Sequence, residues 1–519
     1  MKNSGSLMAC LGAAVALAVL SASQVNAAPD PVAADVPAGG LPGVAVPTLD
    51  WSDCGDGVHQ CTPAQVPLDY HRPGGTRLTL QLRRWQAAVP AARIGTLFIY
   101  AGGPGSSGWA WVQTFATSSS QEIRDRFDIV GFDPRGVHRS QPVSCLDRAA
   151  YAAQWGRATT RPVPGAFGAA VRFARQWNTA CQAHSGDLLP YIGTEFQARD
   201  LDLLRAAVGD PKLTYFGGSY ASYVGTVYAN MFPQRTRALV LDSGYDPEKY
   251  ANDPYAYDYG QYQSTEAGMH RFLRWCAATL DECAFASGIP APTAAGLATK
   301  VRAVLDSLDS YPVRNAAGAV EVNGATMLAE LTFRLNSGTR RWGALGTDLH
   351  LAESRTGPLM YAVSQSDAAF NAVNASVECA DRVYPRGRRE LRNRLAKVAA
   401  DFPLTAPGMA YGPPAYDQTH APACLQWPAT RLSRYTGSYR ATGSAPILIA
   451  GNTGDPDTPY ADSVALSQIL ANGHLITWAG EGHTARRKSA CAEGYMYEYL
   501  LRVTVPPDGT VCRDAPIPD

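Results

Sequence analysis

A serine hydroxyl attacks a carbonyl only when something lifts it into reach, takes its proton and steadies the oxyanion that forms. Residues 213–225, LTYFGGSYASYVG, meet the first of these needs. Leu213, Tyr215 and Phe216 read as a strand, Tyr220, Tyr223, Val224 and Val227 have helical spacing, and Pro233 follows the end of the helix. Ser219 falls on the turn between the two. Such an elbow presses the residues two before and two after the serine against each other, so both must be small. Here they are Gly217 and Ala221, the second standing where glycine is usual.

A base and an acid follow later in the chain. APILIAGNTGDPDTP reads as a buried strand over 446–450 that runs into a turn carrying Asp455, and HLITWAGEGHT as a second strand whose exit loop carries His483. Ser219, Asp455 and His483 thus each come after a strand, as nucleophile, orienting acid and general base require. Asp457 is the competing acid, and Asp-Pro with Thr-Pro is also plain turn chemistry; Asp455 is favoured because it comes directly off the strand end. His474 is the nearest rival base, but it begins its strand, and Asp242, in ALVLDSG, is the acid's place in some hydrolases but is expected here to close a strand end. TLFIYAGGPGSSG supplies a strand over 96–100 and a loop of Gly102, Gly103, Pro104 and Gly105. The expected oxyanion donors are the N–H groups of Gly103 and of Tyr220, the residue after the serine. No GK[ST] follows the glycines, which argues against a phosphate loop.

Taken together, AGGPGSSG, FDIVGFDPRGVHRSQPVSC, ARDLDLLRAAVGDPKLTYFGGSYASYVG and ALVLDSGYDP, with LIAGNTGDPDTP, GEGHT and YLLRVTVPPDGTVC, resemble the secreted bacterial tripeptidyl aminopeptidases and related prolyl aminopeptidases of the α/β-hydrolase fold. The likeness covers both ends of the mature chain; the middle is less distinctive. Ala101, His138 and Ala221 depart from it. The resemblance implies a serine exopeptidase that cuts near a free N-terminus through a Ser-Asp-His triad and an acyl-enzyme, with no cofactor. Because a fold does not fix a substrate, an esterase or amidase acting on a small metabolite is the alternative.

In the related aminopeptidases acidic cap residues hold the substrate's α-amine, an ammonium in a low-dielectric cleft needing an opposite charge. Glu378 and Asp381, in SVECADR, are the candidates here; a salt bridge with Arg382 or a place on a helix surface is their other use. Glu195 is framed by Thr194 and Gln197 as in a capping box, which puts it in a first helical turn. Tyrosines 250, 255, 257, 259 and 262 either line a pocket or pack the cap on the core.

The splitting of the triad across 519 residues implies one core domain with an insertion. The expected fold is α/β, a mostly parallel sheet with helices on both faces, its parts lying at 48–245 and 441–519. A helical cap fills 246–440, where MLAELTFRL and RELRNRLAKVAADF have helical periodicity. Residues 1–27 read as a signal peptide cleaved after Ala27, and 28–47 as a propeptide or linker; Cys10 precedes the apolar segment, contrary to a lipoprotein site. Loss of Cys10 from eleven cysteines leaves an even number in an exported chain, so disulfides are expected. Sequence does not fix their connectivity, but neighbours pair as Cys54–Cys61, Cys145–Cys181, Cys276–Cys283, Cys379–Cys424 and Cys491–Cys512, each stabilising by about 2–4 kcal/mol. With no CxxC or HExxH string, a metal site is not expected. Lys plus Arg and Asp plus Glu are both 45, so no net field draws in nucleic acid or an anionic membrane. The expected partner is a peptide or a small ester or amide met outside the cell; the oligomeric state is open.

Overall fold

Along each central strand the apolar side chains point alternately to two faces. Leu97, Ile99, Phe216, Val240 and Leu448 join one core cluster, and Phe98, Tyr100, Tyr215, Leu239 and Ile447 join another. A sheet apolar on both faces must be covered on both, which is how parallel sheets occur. In the computed structural model, which describes residues 40–161, 163–356, 368–385, 387–416 and 419–514, helices supply that cover. Gly108–Ser118 and Ala490–Arg502 pack on the first face through Val112, Phe115, Met496 and Leu500. Thr194–Ala207 and Tyr220–Met231 pack on the second through Leu201, Leu204, Val224 and Val227.

The strands are β1 (Ser52–Asp53), β2 (Gln60–Pro67), β3 (Arg77–Trp85), β4 (Gly95–Tyr100), β5 (Phe127–Asp133), β6 (Leu213–Gly218), β7 (Thr236–Asp242), β8 (Val313–Arg314), β9 (Val320–Val322), β10 (Ile447–Gly454), β11 (Gly473–Glu481) and β12 (Val511–Cys512). All but β8 and β9 form one sheet, ordered β1-β2-β3-β5-β4-β6-β7-β10-β11-β12. It is antiparallel from β1 to β5 and parallel from β5 to β12. The register brings the strand ends level: Tyr100 pairs with Gly217, Gly218 with Asp242, Asp242 with Ala450, and Gly454 with Glu481. Every loop that leaves those ends opens on one edge of the sheet, where α/β folds place ligands.

Two local expectations are corrected. The strand expected over 446–450 continues to Gly454, because pairing with β11 keeps Asn452 and its neighbours extended, with a bulge between Asn452 and Gly454, where their residue types alone suggest a turn. Thr194 and Gln197 make no capping box. The N-cap is Gly193, and both side chains turn inward to the Tyr220 hydroxyl. Glu195 does lie in the first turn, paired with Arg199 at 2.8 Å.

Between β7 and β10 the chain is mainly helical, but the described residues also include the antiparallel pair β8–β9. Helix Pro254–Ala278 packs with Ala294–Ser310, Gly324–Leu335 and Trp342–Ser354 around a separate core of Phe272, Leu273, Leu305, Leu331 and Leu345. Helices Ala368–Asp381 and Arg388–Asp401 instead contribute to the main core. Five disulfides join the same cysteine neighbours that the spacing suggested. The expected leader and Cys10 lie outside the described residues. No helix among those residues is long and apolar enough to cross a membrane.

Candidate active site

Ser219 sits directly between β6 and helix Tyr220–Met231, with φ 57° and ψ −131°. A non-glycine residue adopts that backbone only where its surroundings force it. Here the Ser219 N–H donates to the Asp242 carbonyl at 2.8 Å, and a Cβ on Gly217 would come within 2.5 Å of the Ala221 carbonyl oxygen. The sharp turn therefore demands glycine at 217. The serine itself is 4% exposed, with the Tyr245 hydroxyl beside it.

Asp455 follows β10 and His483 follows β11 after one glycine. His483 Nδ1 lies 3.0 and 3.1 Å from the two Asp455 oxygens. Asp455 is fixed in turn by the N–H groups of Asp457 and Thr458, both at 2.9 Å, and by the Ser243 hydroxyl at 2.7 Å. Burial acts to raise its pKa, but His483 and these donors bring it below the ordinary carboxylate value. The imidazole's hydrogen bonds run to Asp455 and Thr458, and none joins it to Ser219 Oγ; Nε2 instead faces Asp457 Oδ2 at 3.6 Å. Burial alone would lower the imidazole pKa, yet the two carboxylates outweigh it and raise the value to about 9. The two loops touch where Gly218 packs against Thr484.

The rivals take other places. Asp457 accepts from Gln261 Nε2 at 2.8 Å, from Asn336 Nδ2 at 3.3 Å and from the Tyr416 hydroxyl, so three segments of the inserted region converge on it. His474 stands at the start of β11 against Asn472. Asp242 is fully buried and accepts from the Ala485 and Arg486 N–H groups at 2.8 and 3.0 Å, which holds the loop after His483. Ser243, with φ 60°, was not singled out from sequence. It links Asp455, Asn452 and the Thr484 N–H, and only its place next to Asp242 hinted at it.

Gly102 and Gly103 are both left-handed, with φ 101° and 106°. A Cβ on Gly102 would meet the Gly218 carbonyl oxygen at 2.5 Å and the Tyr220 nitrogen at 3.0 Å, so this loop lies against the elbow. Gly103 faces Phe370 of helix Ala368–Asp381.

Glu378 and Asp381, on that helix, are both buried, but they differ in setting. Asp381 is locked by the Thr194 N–H at 2.8 Å and the Thr194 hydroxyl at 2.5 Å; Thr194 also bonds the Tyr220 hydroxyl, so Asp381 buttresses the elbow from behind. Burial raises its pKa to about 7. Glu378 meets Arg382 Nη1 at 2.8 Å, and Arg382 Nη2 also bonds Asp258. One guanidinium thus serves two carboxylates and stacks over Tyr250, Tyr257 and Tyr384. Burial raises the Glu378 pKa while Arg382 holds it down. Tyr250, Tyr255, Tyr257 and Tyr262 belong to the main core, and Tyr259 is packed at its edge.

Residues 95–283 match a family model described as alpha/beta hydrolase fold, and residues 411–512 one described as TAP-like protein. Over 513 residues, 91% of this chain and 93% of the relative, the sequence is 29% identical to a protein named serine protease Hip1 in Mycobacterium tuberculosis. It is 29% identical over 482 residues, 87% and 84% of the two chains, to a tripeptidyl aminopeptidase of Streptomyces lividans. The same identity over 512 residues, 92% of each, relates it to a protein of Mycobacterium tuberculosis named carboxylesterase B.

Proposed function

We propose, for a chain that belongs to the α/β-hydrolase family and carries a TAP-like C-terminal part, that this peptidase-type hydrolase is an exported serine exopeptidase releasing short peptides from free N-termini. The observation that carries the reading is the strained Ser219 elbow abutting a loop whose histidine is oriented by Asp455.

In this mechanism the imidazole leaves Asp457, turns Nε2 to Ser219 and accepts its proton as Oγ adds to the scissile carbonyl. Catalytic hydrogen bonds are often long before substrate binds and tighten in the complex. The N–H groups of Gly103 and Tyr220 receive the oxyanion, and Asp455 keeps Nδ1 protonated. His483 then passes the proton to the leaving amine, and water, activated the same way, releases the acyl group. The α-amine is held by the carboxylate region around Glu378, with Asp381 behind it, where three acids outnumber the one buried guanidinium among them. The five disulfides suit an oxidising compartment and support export.

The esterase reading is kept because a relative of equal identity is named a carboxylesterase. Peptide p-nitroanilides with open and acetylated N-termini, compared with simple esters, separate the two. Turnover of the open anilides only is expected, with a fluorophosphonate probe labelling Ser219. Activity confined to esters would overturn the exopeptidase reading.

A further inference from the structure

Beside the triad lies a cavity of about 530 Å³ with an unusual charge. It is lined by Gly218 and His483, by Arg340 and Arg341 of the inserted region, and by Arg486, Arg487 and Lys488 of the loop after the histidine. Arg486 is occupied: buried over the Phe115 ring, it donates to the Phe115 carbonyl and the Ser118 hydroxyl and lies 3.6 Å from Glu493. The other four cations make no ion pair among the described residues, and only Lys488 is near enough to carboxylates, those of Asp242 and Asp455, to be acted on by them. Arg340 donates to the Arg487 carbonyl at 2.9 Å, tying the two walls together. Lys488, half-buried, gives its ammonium protons only to the carbonyls of His483 and Thr484, at 2.5 and 3.3 Å. Asp242 also borders the cavity, but its oxygens are taken by the Ala485 and Arg486 N–H groups. Asp455 stands behind the imidazole, and Glu481 is paired with Arg271.

Four cations, three of them arginines without an ion pair, thus border one cavity of a chain whose acidic and basic residues are equal in number. Like charges brought together repel, and an ammonium drawn out of water without a counter-ion is costly. An anionic ligand removes both penalties. The position says which part of a substrate that is. Because His483 protonates the leaving amine, the fragment beyond the scissile bond must depart on the histidine's side, and His483 is one of the residues that line the cavity.

We propose that this cavity is an anion site that receives a carboxylate of the leaving fragment, carried within the first two residues after the cut. The proposal rests on the exopeptidase reading, and names short peptides with a free C-terminus, or with an acidic residue just beyond the cut, as the favoured substrates. An extended residue spans about 3.3–3.6 Å, so a carboxylate within two residues of the cut lies within about 7 Å of it.

The test separates this claim from the one beneath it. N-acetyl-dialanine as free acid and as carboxamide, neither with an open amine, is titrated calorimetrically into the full chain carrying Ser219→Ala. The acid is expected to bind about tenfold or more tighter than the amide, a preference that adding Arg341→Ala and Arg487→Ala, or high salt, abolishes. Neither of those side chains makes a hydrogen bond or ion pair among the described residues, and Arg341→Lys should retain the preference. Equal binding of acid and amide, or a preference that survives the double substitution, overturns the site whatever the enzyme cleaves. The open anilide, whose leaving group has no carboxylate, reports on the exopeptidase reading alone: if it is not hydrolysed while the acid is still selected, that reading falls and the anion site stands.

Discussion

Two charged regions adjoin the elbow, and they are built on different plans. Around Glu378, the acids are buried, share Arg382 and lie under tyrosine rings. Around Arg340 and Arg487, the three arginines are open to water and make no ion pair among the described residues, with Lys488 half-buried beside them. A buried charge must find its compensation inside the protein, because desolvation costs more than a loose contact returns. Only a residual negative charge is then left for a ligand. An exposed cluster keeps its full charge, since water solvates it until a ligand displaces that water. The first region can therefore be read for shape and stability as well as binding, the second for binding alone.

The sharpest way to break the comparison is to remove what lies between the two. Ser219→Ala should lower kcat by about 10⁴–10⁶-fold and abolish fluorophosphonate labelling, with both charged regions intact. Substantial residual turnover would mean that neither region serves this hydroxyl. Stability separates the regions next. Arg382→Met leaves Glu378 and Asp258 buried without a cation and should cost about 3–5 kcal/mol in urea unfolding, against within about 0.5 kcal/mol for Arg341→Ala. Equal losses would show that the exposed cluster is structural too.

Glu378→Gln asks whether the residual charge of the buried region is used. It should reduce kcat/KM for open N-termini by about 10–100-fold, the worth of a hydrogen bond to a charged group, and leave the rate of fluorophosphonate labelling of Ser219 unchanged. A loss shared by both would assign Glu378 to packing.

What the sequence made legible follows from distance along the chain. The elbow is a local device, and Gly217, Ser219 and Ala221 declare it within five residues. The strand ends were readable for the same reason, and so was the sheet they imply. The extension of β10 to Gly454 was not, because it comes from pairing with β11 and not from the residues' own preferences. Thr194 was misread as a cap since its true partners, Asp381 and Tyr220, are remote: a local motif lost to a tertiary one. Ser243 escaped notice for want of any local signature, as did Asp258 in the Arg382 cluster, whereas the Glu378–Arg382 pair, one helical turn apart, was legible. The basic cavity is assembled from residues 340–341 and 487–488, and no pattern in either segment announces the other.

The smallest effect concerns the imidazole itself, between the two regions. His483 is buried, which favours its neutral form, but Asp455 and Asp457 prevail and raise its pKa to about 9, against a weaker opposing pull from Lys488. A general base must be neutral, so kcat/KM of the free enzyme should climb as pH rises toward 9. Asp457→Asn removes one of the two carboxylates while keeping a side chain that can still meet Gln261 and Tyr416. The rising limb should then move to lower pH by about one pH unit, with the variant faster than its parent below that limb by up to about tenfold. Stability shifts the opposite way. A folded-state pKa above the ordinary 6.5 stabilises fully below that value, and this contribution is lost as pH rises through 9, so Asp457→Asn should unfold more easily at pH 6 than its parent and differ less at pH 10. A limb that stays in place on substitution would show that Asp455 alone sets the proton affinity of His483, and that Asp457 serves only to anchor the three segments that converge on it.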